Sequence, residues 1–77
     1  MQFRYAEDVE DWLAPLTYEE VWRELGKVAP EALSRDLWDS YLRDGQDAED
    51  VLVVVKAMIR SWLVANWKLP PRWLWAS

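Results

Sequence analysis

Residues 48–69, AEDVLVVVKAMIRSWLVANWKL, constrain this chain more than any other stretch. Val51, Val55, Met58, Trp62, Ala65 and Leu69 recur at spacings of 4, 3, 4, 3 and 4, the period of one face of an α-helix. Leu52, Ile59 and Leu63 form a second apolar row beside it, and polar residues keep to a strip around Lys56 and Arg60. A surface helix is apolar on one stripe only; a helix apolar on most sides is buried. The pattern therefore predicts a trunk helix on which the rest of the chain packs. The β-branched run VLVVV would suit a strand, but the helical period runs on to Leu69 and no partner strand is apparent. Pro70 and Pro71 end the helix.

With 77 residues, the chain is one small domain that buries only about 60% of its unfolded surface. It has no cysteine and no histidine. Disulfides and thiol chemistry are excluded, and the commonest general base and transition-metal ligand are missing. Apolar packing must supply the stability, and seven Trp, three Tyr and one Phe predict a Trp-rich core, each buried ring removing roughly 150–250 Å² from water.

Upstream, Tyr5, Val9, Trp12 and Leu13 share a helical face, and Pro15 closes that segment. TYEE at residues 17–20 is a capping box, followed by the stripe Tyr18, Val21, Trp22, Leu25 and by Gly26 as a stop. Pro30 suits the first turn of a third helix, with Leu33, Leu37 and Tyr41 on one face and Gly45 at its end. Asp47 can cap the fourth helix, with Asp50 at the capping-box position. The expectation is an all-α fold: a compact four-helix bundle around a central C-terminal helix, one domain over residues 1–77. Its helices span about 5–14, 18–25, 30–44 and 47–68, with a tail over 70–77.

Charge is unevenly distributed. All fourteen carboxylates lie in residues 1–50 beside five basic residues, a balance of −9; residues 51–77 hold four basic residues and no acid, a balance of +4. A net acidic surface argues against direct binding to nucleic acid or membrane and suits a protein partner with a basic surface. Helix design absorbs most of the acids. Glu7, Asp8, Glu19, Glu20, Glu31, Glu49 and Asp50 fall in predicted first turns. Glu19 with Arg23, Glu31 with Arg35, and Asp39 with Arg43 have i, i+4 spacing. Glu10, Asp11, Glu24, Asp36 and Asp44 are left over, and these are the candidate partner-binding carboxylates, able to imitate phosphates in a basic cleft.

Chemistry finds no foothold. Setting Gly45 at the glycine position of a calcium loop puts Ser40, Leu42 and Val51 where carboxylates are needed. Phosphate-binding loops and nucleophile elbows are also absent. The expectation is no catalytic residue, no cofactor, no metal and no small-molecule substrate. The acidic N-terminus, MQFRYAEDVED, lacks the apolar core of a signal peptide, so a cytoplasmic protein is expected. The tail places Trp73 and Trp75 beside the terminus, either as a clasp on the core or as a hook for a partner.

WLVANWK, residues 62–68, is similar to the last helix of the DNase-colicin immunity proteins, which are small acidic four-helix inhibitors. Their Tyr-Tyr-Pro segment is absent, so no family assignment follows. DSYL at residues 39–42 resembles the Asp-Ser-Leu of acyl carrier proteins, but Ser40 falls within a predicted helix and Tyr41 replaces the leucine. By size and charge the chain resembles phage and mobile-element inhibitors, anti-CRISPR proteins among them. That likeness implies a non-enzymatic inhibitor of a larger protein. The alternatives are an assembly module or homodimer, such as a phage morphogenesis factor, and then a nucleic-acid binder.

Overall fold

Capping chemistry sets the helix boundaries of the computed structural model, which describes residues 3–76, with side chains to residue 74. The helices are α1 (Ala6–Leu13), α2 (Tyr18–Val28), α3 (Arg35–Arg43), α4 (Ala48–Asn66) and a single turn, α5 (Trp73–Ala76). No strand occurs among the described residues. The capping box at the start of α2 forms: Thr17 Oγ1 accepts from the Glu20 amide at 3.3 Å, and Glu20 Oε1 accepts from the Thr17 amide at 2.9 Å. Asp47 Oδ1 caps α4 by accepting from the Glu49 amide at 2.8 Å. At the start of α1, Asp8 accepts from the amides of Arg4 and Tyr5 at 3.0 and 2.9 Å.

Two helices end in the same left-handed stop. After α3, Gly45 has φ 97°, and the Gly45 and Gln46 amides donate to the carbonyls of Leu42 and Tyr41. After α4, Lys68 has φ 54°, and the Leu69 amide donates to the Val64 carbonyl. These are Schellman-type terminations, in which glycine normally takes the left-handed position. Lysine there bears a steric cost of roughly 1–2 kcal/mol.

The third helix starts at Arg35, five residues later than Pro30 would place it. Pro30 and Glu31 form a turn closed by the Ala32 amide donating to the Ala29 carbonyl, and residues 32–34 lead on without helix. Glu31 therefore precedes the helix and cannot pair with Arg35 at helical spacing. Arg35 instead bridges Glu19 on α2 and Asp39 on α3, and Tyr18 Oη donates to Asp39 at 2.8 Å. Burial and the Asp39 carboxylate push the Tyr18 phenol up, while Glu19 and then Asp39 push Arg35 up. Arg23 pairs with Glu20 and Glu24 rather than Glu19. Helix α2 also runs through Gly26 to Val28.

Helices α1, α2 and α3 all contact α4. The buried row on α4 is Val51, Val55, Ile59 and Leu63, the last three with no exposed surface. This corrects the expected row: Met58 is 44% exposed, Ala65 is exposed, and Trp62 and Leu69 are only half-buried. The reason is geometric. A four-residue step advances about 40° around a helix of 3.6 residues per turn, so the buried ridge winds around α4 as its neighbours change along its length. Val9 and Leu13, Val21, Trp22 and Leu25, and Trp38 meet this ridge from α1, α2 and α3. The fully buried large side chains are aliphatic. Trp22 and Trp38 are buried, Trp12 and Trp62 pack at the edge, and Trp67 and Trp73 are exposed. Two tryptophans, Trp22 and Trp38, thus belong to a core that is otherwise mostly aliphatic.

Two outcomes follow. Ile59→Ala should cost about 2–5 kcal/mol and Val53→Ala no more than about 0.5 kcal/mol, read from urea midpoints; equal costs would place the buried row elsewhere. The amide bonds to Asp8 and Glu20 hold both carboxyls below their ordinary values of 3.8 and 4.5. Their folded pKa values lie below the unfolded ones, so their stabilisation is complete above the ordinary carboxylate range. It is lost as pH falls through the lowered values. Thermal melts should show Tm falling below pH 4.5, with a weaker fall in Asp8→Asn.

Candidate partner-binding surface

Sorting the carboxylates by what they touch locates the surface. Asp8, Glu10, Asp11, Glu19, Glu20, Glu24 and Asp39 pair with arginine or lysine. Among the described residues, Asp44, Asp47, Glu49 and Asp50 form no ion pair, yet they fall within seven consecutive positions. The Schellman stop at Gly45 and the Asp47 cap fold those positions into the α3–α4 turn. Every residue from Arg43 to Asp50 is exposed.

Apolar surface adjoins this acidic turn. Trp38, Tyr41, Gln46, Asp50, Val51 and Val54 line a shallow groove of about 250 Å³ between α3 and α4. The Trp38 and Tyr41 rings lie 5.5 Å apart at 57°, which holds the groove's aromatic wall. Leu37 and Tyr41 on α3, and Val53, Val54 and Met58 on α4, are exposed large apolar side chains. Such patches rimmed by polar groups mark interaction sites. The sequence signal was present in DGQDAED, but helix capping accounted for its acids, and only Asp44 stood out.

Of the seven residues singled out from sequence, the six with described side chains are spread over α1, α2, α3, the turn after α3 and the tail. Asp44 lies in the acidic turn. Asp36 is exposed at the start of α3, without an ion pair among the described residues. Glu24 pairs with Arg23 and Lys27 on α2. Glu10 pairs with Arg60 of α4, although the guanidinium N–H is not aligned on the carboxylate. Asp11 lies 3.8 Å from Arg72, the neighbour of Trp73. The side chain of Trp75 lies outside the described residues.

The tail does fold back, by polar contacts. Pro70 accepts from the Ala6 amide at 3.0 Å, and the Arg72 amide donates to Glu7 at 2.8 Å. The Arg72 guanidinium bonds Asp8 at 2.9 Å and lies 5.7 Å from the Tyr5 ring centre. Phe3 sits between Trp12 and Trp67, at 5.3 Å from each. Trp73 stays 69% exposed, so its ring is not what closes the tail onto α1.

A larger cleft, about 770 Å³, lies between α2 and the loop before α3. Its cations, Arg23 and Arg35, are paired with Glu19, Glu20, Glu24 and Asp39. Ser40 sits inside α3, with Oγ donating to the Leu37 carbonyl. Among the described residues no group of three acidic side chains is placed to hold a metal ion, and no helix is long and apolar enough to cross a membrane. No family model, curated protein or solved structure matches the chain.

Removing residues 70–77 should lower Tm by several degrees, because it strips the bonds to Ala6, Glu7 and Asp8. Trp73→Ala should change stability by no more than about 0.5 kcal/mol, as expected of an exposed site. The reverse ranking would make the ring, not Arg72, the clasp.

Proposed function

We propose that this chain is a non-enzymatic protein-binding module that docks onto a basic surface of a larger protein. In this reading α4 is the trunk of a four-helix bundle, and the α3–α4 edge is its working end. The observation that carries it is the unpaired carboxylate turn beside an open apolar groove. Unpaired acids give long-range attraction to a cationic patch, and the Trp38–Tyr41–Val54 groove gives area to bury once contact is made. A nucleic-acid-binding protein is the kind of partner that carries such a patch, and the likeness in size and charge to phage inhibitors points the same way. The seven carboxylates that already hold an arginine or lysine contribute less, because a partner's cation would have to displace an internal one.

The test is affinity capture from cells that express the chain, followed by binding of the captured protein to variants. Asp44→Lys with Glu49→Lys should weaken binding at least tenfold and flatten its salt dependence, with helical circular dichroism unchanged. Glu10→Gln should have little effect. Binding that is indifferent to the double reversal would remove the acidic turn from the interface.

A further inference from the structure

Most of the outer face of α4 is exposed, with no helix packed over it among the described residues. Around the helix, Val53, Val54, Ala57, Ser61, Val64 and Ala65 fall on the side opposite the buried ridge, and all but Val64 are exposed. Lys56 and Arg60 turn away from it toward α1, where they reach the Ala14 carbonyl and Glu10. The face is therefore free of charge between Asp50 at one end and Lys68 at the other. Neither forms an ion pair among the described residues.

We infer that a second copy of the chain covers this face, with the two α4 helices antiparallel about a two-fold axis at the height of Ile59. The positions are self-complementary in that register. Val54 meets Val64 of the second copy, Val53 meets Ala65, and Ala57 meets Ser61. Small residues fall at the centre, where the backbones approach most closely, and valines lie on either side. Asp50 and Lys68 sit nine residues either side of the axis, so each acid comes level with the second copy's lysine, once at each end. A parallel pair would set Asp50 against Asp50. The antiparallel arrangement also opposes the helix dipoles, and a two-fold interface must satisfy every contact twice. Lys68 adds an independent pointer. It occupies a left-handed position where glycine would be unstrained, so its side chain is kept at a conformational cost while its charge has no partner within the described chain.

Helix α4, with 19 residues, is about 28 Å long. A strip of that length is small for a stable interface, so the dimer is a reversible one.

Sedimentation equilibrium of the full chain tests this, from low micromolar to near-millimolar concentration. The expected result is reversible association to twice the 9.2 kDa chain mass. Ala57→Arg should give a monomer with unchanged helical circular dichroism. Asp50→Lys and Lys68→Asp should each weaken the dimer about tenfold, by placing like charges level at both ends, and the double exchange should restore it. A strict monomer throughout overturns the inference, as does a dimer indifferent to Ala57→Arg. Loss with Ala57→Arg but no response to the charge exchanges overturns the antiparallel register. Asp50 and Val54 border both surfaces, but Asp44 and Glu49 lie off the α4 face, so Asp44→Lys with Glu49→Lys should leave the dimer intact; a monomer that still captures a basic protein overturns only the dimer.

Discussion

Everything in this molecule hangs on one ridge of one helix. Val55, Ile59 and Leu63 of α4 are wholly removed from water, and Val51 nearly so. Each such side chain stabilises the fold by about 1.5–3 kcal/mol, in a domain whose net stability is on the order of 5–15 kcal/mol. Helices α1, α2 and α3 all lie against α4, so the four residues are shared by every layer of the core. The polar contacts around them are mostly exposed, and exposed ion pairs contribute about 0–1 kcal/mol each. Their task is to fix where helices begin and how the tail returns to α1.

That economy leaves a surplus. A helix as apolar as α4 needs neighbours on most sides, and the described residues supply them on only one. The molecule is accordingly elongated, 47 × 21 × 18 Å, with apolar side chains of α3 and α4 open to solvent beside four unpaired acids. The same arrangement explains both surfaces. Four of the seven carboxylates without an ion pair among the described residues gather between the end of α3 and the first turn of α4, while three of the four basic side chains of the last third are drawn off: Arg60 and Arg72 to α1, and Lys56 to the end of that helix.

The all-α class, the TYEE cap, the Asp47 cap and the stop at Gly45 were legible in the sequence because each depends on residues within one turn of each other. The burial of α4 was not. Its two apolar rows are nearly equivalent in periodicity, and the choice of Ile59 and Leu63 over Met58 and Ala65 is made by neighbours distant in sequence. The late start of α3 escaped for a related reason: Pro30 fits a first turn, but the backbone turns there instead and α3 begins at Arg35, whose partner Glu19 lies on α2, distant in sequence. The tail was half legible. Pro70 and Pro71 announced the reversal, yet Arg72 rather than Trp73 secures it, through α1 acids that local spacing had assigned to a helix dipole. The candidate surface was partly visible in DGQDAED; what sequence could not show was which carboxylates elsewhere would be paired.

Helix α4 has a closed side, which holds the fold, and an open side, the one proposed to meet a second copy. Isotope-filtered NMR on a one-to-one mixture of labelled and unlabelled chains tests it most directly. Intermolecular contacts are expected between the methyl groups of Val54 and Val64 and between Val53 and Ala65, with none from Val55 or Ile59. Intermolecular contacts from Val55 or Ile59, or none at any concentration, would contradict it.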